Sequence, residues 1–326
     1  MRVAVLGATG AVGRTMLRVM EERLAGAELR PLASELSRGS RLRYDGREWA
    51  VETPRSGSFE GCDVALFSAG SELSRAWAPR AAAEGAVVVD NSSAWRMDPE
   101  VPLVVPEVNA DGVAERPRGI VANPNCSTIQ LVVPLEALRR AAGLVRVVVS
   151  TYQSVSGAGQ KGLEAYRGER AGGERAETSP FPGRIDGNVI PRIGPLLDGG
   201  WTQEEEKMRQ ETRKILGLPE LAVAATCVRV PVEVGHAVAA AVETERALVL
   251  GDAAEALRSM PGVRLQDPAG GDPLPRAVAS TDDIVVGRLR RDPDRPNVLH
   301  MWIVADNLRK GAATNTVQIA ELVLRE

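Results

Sequence analysis

The first part of the chain alternates short apolar runs with longer segments of helical periodicity. The runs are almost unbroken, as expected for strands of a parallel sheet that helices cover on both faces. This βαβ rhythm predicts an N-terminal, doubly wound parallel sheet of the Rossmann type. The predicted strands are Val3–Leu6, Val64–Phe67 and Val87–Val89, and the predicted helices run from about Ala11 to Leu24 and near Leu73–Ala83.

The pattern changes after Pro124, where long runs rich in β-branched residues alternate with fewer helices. It predicts a second α+β domain with a mixed sheet. The stretch from Gly157 to Ile193 is rich in Gly, Pro, Arg and Glu and predicts exposed loop. The predicted strands are Val145–Tyr152, Leu221–Val230, His236–Glu243, Ile284–Leu289 and Leu299–Ala305; helices are predicted near Ser127, at Gln203–Leu216 and at Ala253–Met260.

The last segment, from Gly311 to Glu326, has the apolar spacing of an amphipathic helix, which in such a position often packs back on the first domain. A chain of 326 residues is long enough for two cores. We therefore expect residues 1–124 with 308–326 to form a cofactor-binding domain, and residues 125–307 to form a catalytic, substrate-binding and dimerisation domain.

Charge and cysteine content narrow the class of partner. The 40 basic and 43 acidic residues are interspersed and give a net charge of −3, which favours a small-molecule partner over nucleic acid or a membrane surface. No apolar run approaches the roughly 18 residues of a membrane span, and the N-terminus does not resemble a signal peptide. Cys62, Cys126 and Cys227 are too few and too widely spaced for a disulfide framework or a metal site, which predicts free thiols in the cytoplasm.

A glycine-rich turn lies between the first predicted strand and helix. Its sequence from Gly7 to Gly13 fits G-x-x-G-x-x-G, a pattern that lets backbone N–H groups approach a pyrophosphate at a helix N-terminus. A turn with small residues for packing alone is the alternative. The predicted cofactor contacts are Gly7, Thr9, Gly10, Ala11 and Val12.

The end of the second strand favours NADP over NAD. No acid occupies the position that binds the ribose hydroxyls in NAD enzymes. Ser34 and Ser37 can bond a 2′-phosphate, and Arg38 and Arg41 can neutralise it, although Glu35 lies among them. A solvated polar loop is the alternative.

Cys126 has the sequence context of a reactive thiol. It stands at a predicted helix start, with Asn123 and Asn125 as donors to an oxyanion and Pro124 fixing the backbone. A helix N-terminus lowers a thiol pKa and so favours the nucleophilic thiolate. A small, buried hydrophobic cysteine is the alternative, and Cys62 and Cys227 fit that alternative.

Six segments together carry a resemblance that covers essentially the whole chain. They are Gly7–Gly13, Asn91–Arg96, Val104–Asn109, Asn123–Thr128, Thr151–Gly159, and Arg229-Val230-Pro231 through His236. In this order and spacing the chain resembles the aspartate-semialdehyde dehydrogenase family. The resemblance implies NADPH-dependent reduction of aspartyl β-phosphate to aspartate β-semialdehyde and phosphate, through a thioester.

The resemblance also implies roles for individual residues. Cys126 matches the nucleophile, His236 the acid/base and Gln153 the residue that orients the acyl group. The second histidine, His300, lies in a predicted strand and is interpreted as structural.

Five residues match substrate-binding positions in the family. Arg229 matches the carboxylate receptor, as suits a bidentate guanidinium. Glu204 matches the amine-binding acid, although Glu205 or Glu206 could make that contact, and a solvated helix start is the alternative for the whole segment. Lys207, Arg96 and Asn125 match phosphate contacts.

The remaining matches concern cofactor and assembly. Ser156, Gly157 and Asn307 match cofactor contacts. In the family pattern Ala-Ser-x-Arg-Ser an arginine helps to bind the cofactor, but here Leu36 occupies that slot, so Arg38 or Arg41 substitutes or NADP selectivity is relaxed. The family also implies a homodimer or homotetramer built on the sheet of the second domain.

Two other functions stay open from the sequence. An N-acetyl-glutamyl-phosphate reductase shares the fold, the thiol and the acyl-phosphate chemistry, but the pair Glu204 and Lys207 suits a free amine. A non-catalytic cofactor-binding paralogue would have lost Cys126 or His236, and both are present.

Overall fold

The chain forms two compact units in a computed structural model that describes residues 1–325. One unit comprises Met1–Asn125 together with the segment that starts at Ala312, and the other comprises Cys126–Gly311.

The strands of the N-terminal unit are β1 Arg2–Leu6, β2 Glu28–Leu32, β3 Arg41–Tyr44, β4 Arg47–Ala50, β5 Val64–Phe67, β6 Val87–Asp90 and β7 Ile120–Ala122. Five of them form a parallel sheet with the order β2-β1-β5-β6-β7, and the other two form the hairpin β3-β4 beside it. The helices are α1 Ala11–Arg23, α2 Ser71–Ala83, α3 Pro106–Asn109 and the last helix of the chain, α9 Thr314–Val323.

Burial explains why the central strands of this sheet are almost unbroken apolar runs. All four residues of β5 are buried, because helices cover both faces of the sheet. The C-terminal helix α9 belongs to this unit, where Glu321 forms an ion pair of 2.7 Å with Arg23 of α1. The predicted Rossmann-type parallel sheet is confirmed.

The second unit contains a six-stranded mixed sheet, as predicted. Its strands are β8 Arg146–Gln153, β9 Ala222–Arg229, β10 His236–Glu243, β11 Val263–Leu265, β12 Ile284–Arg291 and β13 Val298–Ala305, in the order β11-β12-β13-β10-β8-β9. Its helices are α4 Cys126–Ala142, α5 Gly159–Arg170, α6 Gln203–Leu216, α7 Leu250–Ser259 and α8 Pro275–Val278.

The two faces of this sheet differ in solvent exposure. Helices α4, α6 and α7 contact its strands, and Val147, Val149 and Thr151 of β8 are buried. On the opposite face Val148 is 39% exposed and Tyr152 is 36% exposed. Within this unit, this face of the sheet is therefore partly open and exposes the apolar side chains of Val148 and Tyr152.

The predicted exposed loop from Gly157 to Ile193 is wrong over its first part, where α5 forms instead. Leu163 and Tyr166, three residues apart on one face of α5, pack with Phe181 and Ile185 in a small apolar cluster. The Gly, Arg and Glu content of the segment led to the loop prediction. The helix forms nevertheless, because tertiary burial outweighs weak local propensity.

Two kinds of feature are absent from residues 1–325. No helix is both long and apolar enough to cross a bilayer. No group of three or more His, Cys, Asp and Glu side chains is arranged to hold a metal ion.

Candidate active site

Three of the candidate catalytic and substrate-binding residues lie at one edge of the mixed sheet. Strands β8 and β9 are parallel, so Gln153 and Arg229, their last residues, are register partners at their carboxyl ends. Strand β10 runs antiparallel to β8, so its first residue, His236, lies at that same edge. The sheet topology alone brings these side chains together.

Gly157 marks the point on which Arg229 and His236 converge. A Cβ atom added to Gly157 would lie 2.7 Å from Nη1 of Arg229 and 3.0 Å from Nε2 of His236. Arg229 is only 5% exposed and His236 is fully buried. A substrate that reaches this point therefore meets a guanidinium and an imidazole.

Arg229 is held from several sides. Its Nη1 donates to the carbonyl oxygen of Ser154 at 2.6 Å, and its backbone exchanges two 2.9 Å hydrogen bonds with Ile190. Burial lowers the pKa of Arg229, while Glu204 and Cys126 oppose that shift electrostatically. A cavity of about 450 Å³ beside it is lined by Ala158, Phe181, Arg192 and others, so the guanidinium borders space for an anionic group.

His236 combines complete burial with one unsatisfied nitrogen. Its Nδ1 lies 3.0 Å from both the backbone nitrogen and the Oγ of Ser154, whereas Nε2 has no hydrogen-bond partner among the described residues. Burial, and next the charge of Arg229, hold the pKa of His236 well below 6.5. The imidazole is thus neutral at physiological pH, with Nε2 facing the site.

Cys126 is the first residue of α4, where the helix N-terminus favours a thiolate. The backbone approaches it closely at Gly311, because a Cβ atom added there would lie 3.0 Å from Cβ of Cys126. The carbonyl oxygen of Asp306 accepts the N–H of Gly311 at 3.0 Å and fixes this approach. Sequence reasoning missed Gly311, since a glycine in a polar segment gives no local signal of such a contact.

The other two cysteines are buried and electrostatically disfavoured as nucleophiles. Burial raises the pKa of Cys227 to about 12 and also raises the pKa of Cys62. Both residues fit the interpretation of small core side chains. His300, the second histidine, lies 2.8 Å from a carboxylate oxygen of Asp292, as a structural role requires.

The three consecutive acids at the start of α6 have different partners. Glu205 forms a capping box with Thr202 and accepts the N–H of Cys227 at 3.0 Å. Glu206 pairs with Arg209 at 2.9 Å. Glu204 instead accepts from Gln153 at 3.3 Å and from Lys207 at 3.4 Å, so the geometry favours Glu204 as the substrate-facing acid.

Two residues proposed for the cofactor, Ser156 and Asn307, are also held by buried hydrogen bonds in this unit. Ser156 and Asn307 hydrogen-bond to each other, with Nδ2 of Asn307 donating to Oγ of Ser156 at 2.9 Å. Asn307 is 3% exposed, and its Oδ1 accepts the N–H of Gly235 at 2.9 Å. Ser154, which links this pair to His236, was absent from the sequence-based site.

Arg96 and Asn125 lie in the N-terminal unit, and both are buried. Arg96 donates through Nε to the carbonyl of Asn123 and through Nη2 to the carbonyl of Asn91, both at 3.0 Å. Asn123 is in turn fixed by Nδ2 of Asn315 at 2.7 Å. The two backbone carbonyls thus hold the guanidinium in one orientation within its unit.

Two positions of the glycine turn have no space for a side chain. Gly7 has a φ of +89°, and a Cβ atom there would collide with the carbonyl of Ser68. A Cβ atom on Gly13 would collide with the carbonyl of Gly7. Gly10 is the N-cap of α1 and provides no capping side chain, so the turn suits backbone recognition of a phosphate. Thr9 lies 3.2 Å from Ser37 between their hydroxyl oxygens.

The residues proposed to bind a 2′-phosphate lie in a more open setting. Ser34 precedes a short 3₁₀ turn, Glu35–Ser37, and the side chain of Arg38 is 67% exposed and paired with Glu35 at 3.0 Å. Leu36, in the slot of the family's arginine, is fully exposed. Arg38 is therefore partly neutralised by Glu35 where it is proposed to meet a phosphate.

Comparison with known proteins gives the same family along the whole chain. The family model described as semialdehyde dehydrogenase, NAD binding domain, matches residues 2–116, and the one described as semialdehyde dehydrogenase, dimerisation domain, matches residues 135–310. The aspartate-semialdehyde dehydrogenase of Aquifex aeolicus is 49% identical over 100% of this chain and 98% of its own length. That of Bacillus subtilis is 46% identical over 98% and 96% of the two chains.

A solved structure agrees with these sequence relatives. The crystal structure of aspartate semialdehyde dehydrogenase II from Vibrio cholerae, complexed with ASA, superposes with a TM-score of 0.95 at 46% identity. The match covers 100% of this chain and 98% of that chain.

Proposed function

The chain belongs to the aspartate-semialdehyde dehydrogenase family, and on that premise we propose that it converts L-aspartyl 4-phosphate to L-aspartate 4-semialdehyde and phosphate. The observation that carries this proposal is the convergence of Arg229 and His236 on Gly157. A carboxylate receptor and a neutral acid/base at one point suit an amino-acid substrate whose side-chain carbonyl reacts. The product is a precursor for lysine, threonine and methionine biosynthesis.

Cys126 performs the covalent step in this proposal. Its thiolate attacks the acyl carbon, the carbon–sulfur bond forms as the bond to phosphate oxygen breaks, and inorganic phosphate leaves. The helix N-terminus favours the thiolate, and the resulting thioester accepts hydride more readily than a carboxylate would. Nε2 of His236 exchanges the proton at the reacting sulfur or oxygen, while Gln153 orients the acyl group.

The substrate's charged groups have matching partners. Arg229 binds the α-carboxylate and Glu204 the α-ammonium, while Arg96, Lys207 and Asn125 bind the phosphate. Lys207 lies 3.4 Å from Glu204, so these two groups neutralise each other until substrate separates them. Within the second unit, the open cavity beside Arg229 supports the carboxylate assignment.

NADP is the proposed cofactor and, when bound in reduced form, supplies the hydride. Gly7, Thr9, Gly10, Ala11 and Val12 hold its pyrophosphate in this proposal. A Cβ atom at Gly7 or Gly13 would collide with a backbone carbonyl, which supports this proposal because the turn excludes side chains from both positions. Ser34, Ser37 and Arg38 are proposed for the 2′-phosphate, and Ser156, Gly157 and Asn307 for the nicotinamide end.

We further propose a cytoplasmic homo-oligomer that uses the open face of the mixed sheet. Tyr152 and Trp302 lie on that face with their ring centroids 5.2 Å apart, beside the exposed Val148. Apolar surface of this kind marks protein interfaces, and residues 135–310 match a dimerisation domain. Whether two or four copies assemble is decided by measuring the mass of the purified protein in solution.

The competing function is reduction of N-acetyl-glutamyl phosphate. An acetylated amine carries no positive charge, so it gives the buried Glu204, 6% exposed, no cation to bind. Incubation with NADP and phosphate, and either aspartate semialdehyde or N-acetylglutamate semialdehyde, separates the two functions by the appearance of NADPH absorbance. We expect turnover with aspartate semialdehyde, and turnover with the acetylated substrate alone would overturn the proposal.

A further inference from the structure

The cavity beside Arg229 has two positive charges on its walls and no negative charge. Its volume is about 450 Å³, which lies within the range of small-molecule sites. Of the ten residues that line it, two are arginines, Arg192 and Arg229, and none is acidic. The others are proline, isoleucine, phenylalanine, alanine and glycine, so the walls are otherwise apolar.

The proposed reaction gives Arg192 no role. There the α-carboxylate binds to Arg229, and the phosphate binds to cations that do not line this cavity. Arg192 is exposed, and its side chain has neither a hydrogen-bond partner nor an ion-pair partner among residues 1–325. A guanidinium on the cavity wall is therefore available to a second anionic group.

The backbone is fixed on both sides of Arg192. Ile190, two residues earlier, exchanges two 2.9 Å hydrogen bonds with the backbone of Arg229. Pro195, three residues later, accepts at 2.9 Å the N–H of Gln203, the first residue of α6. The main chain of Arg192 is thus tied to the strand end that carries the other guanidinium.

Phe181 forms an apolar part of the wall next to Arg229. It is 4% exposed, and its ring centroid lies 6.0 Å from Cζ of Arg229. Its carbonyl oxygen accepts from Nε of Arg175 at 3.1 Å. The carboxylate of Glu169, a residue 1% exposed, accepts the N–H of Ile185 at 2.8 Å. These hydrogen bonds form the wall before a ligand binds, which lowers the cost of binding.

A neighbouring acid, Glu204, does not remove the positive charge from the cavity. Glu204 acts electrostatically on Arg229, but it does not line the cavity. Its carboxylate accepts from Gln153 at 3.3 Å and from Lys207 at 3.4 Å. The charge on the cavity walls therefore favours an anionic ligand.

We propose that this cavity binds a small dicarboxylate with an apolar linker, with one carboxylate on Arg229 and the other on Arg192. A guanidinium is a planar fork that matches a carboxylate, and the apolar walls suit the linker. Inorganic phosphate fits less well, because its hydrated charge would lie against apolar side chains. The dicarboxylate excludes the substrate's α-carboxylate from Arg229, a consequence that rests on the proposed function.

The first test measures binding and needs no turnover. Calorimetry with full-length wild type and Arg192→Gln compares glutarate with pentanoate, which has the same carbon chain and lacks the second carboxylate. Wild type should bind glutarate about three- to tenfold more tightly, a gain between those of exposed and buried bidentate pairs. In Arg192→Gln this ratio should fall to about one or below. An equal ratio in both proteins, or no binding of glutarate to wild type, overturns the proposal.

Two variants and a second anion serve as controls. Arg170→Gln removes an exposed arginine of α5 that does not line the cavity, and it should keep the wild-type ratio. Arg192→Lys keeps the charge without the fork and should give an intermediate ratio. Inorganic phosphate should bind equally to wild type and Arg192→Gln, and a dependence on Arg192 as large as that of glutarate would contradict the dicarboxylate assignment. Thermal unfolding checks that each variant is folded.

The second test measures inhibition. Glutarate should compete with aspartate semialdehyde, and Arg192→Gln should raise its inhibition constant about three- to tenfold while KM for aspartate semialdehyde stays within about twofold. A parallel rise in KM would place Arg192 in substrate binding and overturn its separate role. If aspartate semialdehyde is not turned over, the proposed function fails, and the calorimetric ratio still decides whether Arg192 binds the second carboxylate.

Discussion

The catalytic edge of the mixed sheet and the adenosine end of the predicted cofactor site are built in different ways. At the catalytic edge, Arg229, His236 and Asn307 are at most 5% exposed, and buried hydrogen bonds hold them. At the cofactor end, Arg38 is 67% exposed and paired with Glu35. The side chains proposed to act on the reacting atoms are thus positioned in advance, whereas Arg38, proposed to bind the 2′-phosphate, is paired with Glu35 at the surface.

The largest expected effect on turnover comes from replacing the thiol of Cys126. Cys126→Ser should lower turnover by about 1000-fold or more, as loss of a nucleophile does in other covalent enzymes, and should leave NADP binding intact because the nucleotide turn lies in the other unit. Steady-state assay and fluorescence titration with NADPH measure the two quantities.

Cys62→Ala is the matched control for the thiol. Cys62 is buried in the N-terminal unit, and its replacement should change stability more than turnover. Comparable losses in both variants, or none in Cys126→Ser, would remove the distinction between a reactive thiol and a core thiol.

A smaller effect is expected from crowding the catalytic edge. Gly157→Ala places a methyl group 2.7 Å from Arg229 and 3.0 Å from His236, and displacing packed groups costs about 1–3 kcal/mol. We expect kcat/KM to fall roughly 10- to 100-fold with little loss of thermal stability.

Gly168→Ala is the control for this substitution. Gly168 lies on α5, and an added Cβ atom there meets nothing within 4 Å. Its variant should keep wild-type kinetics. If Gly157→Ala does so as well, the catalytic edge is not as rigid as the comparison requires.

The smallest expected kinetic effect comes from a substitution at the exposed adenosine end of the proposed cofactor site. Arg38→Ala should raise KM for NADP by about threefold and leave KM for NAD unchanged, because exposed ion pairs are weak and screened by salt. Arg43→Ala, on the nearby hairpin, is the matched control. A large loss in Arg38→Ala would show that this end is as strongly organised as the catalytic edge.

The sequence predicted both sheets, and three of the proposed site residues lie at strand ends. Apolar runs mark β8, β9 and β10, and Gln153, Arg229 and His236 stand where those runs end or begin. Parallel and antiparallel pairing then determines that these three ends share one edge. The strand order itself had to come from the structure, because pairing depends on contacts distant in sequence.

One ambiguity could have been narrowed from the sequence. Thr202 followed by Glu205 has the spacing of a capping box, which assigns Glu205 to the helix end and leaves Glu204 and Glu206 as candidates for the substrate contact. By contrast, the approach of Gly311 to Cys126 and the contact of Ser154 with His236 depend on loop geometry. Neither has a local sequence signal.

The parallel pairing of β8 and β9 has a consequence for how this enzyme could diversify. Parallel neighbours require a long crossover, and here the crossover from Ser154 to Leu221 carries α5, α6, Glu204 and Lys207. It leaves β8 after Gln153 and enters β9 at Ala222, the register partner of Arg146 at the start of β8. Substrate scope can therefore change by replacing one contiguous module, while the catalytic strands and their register are inherited unaltered.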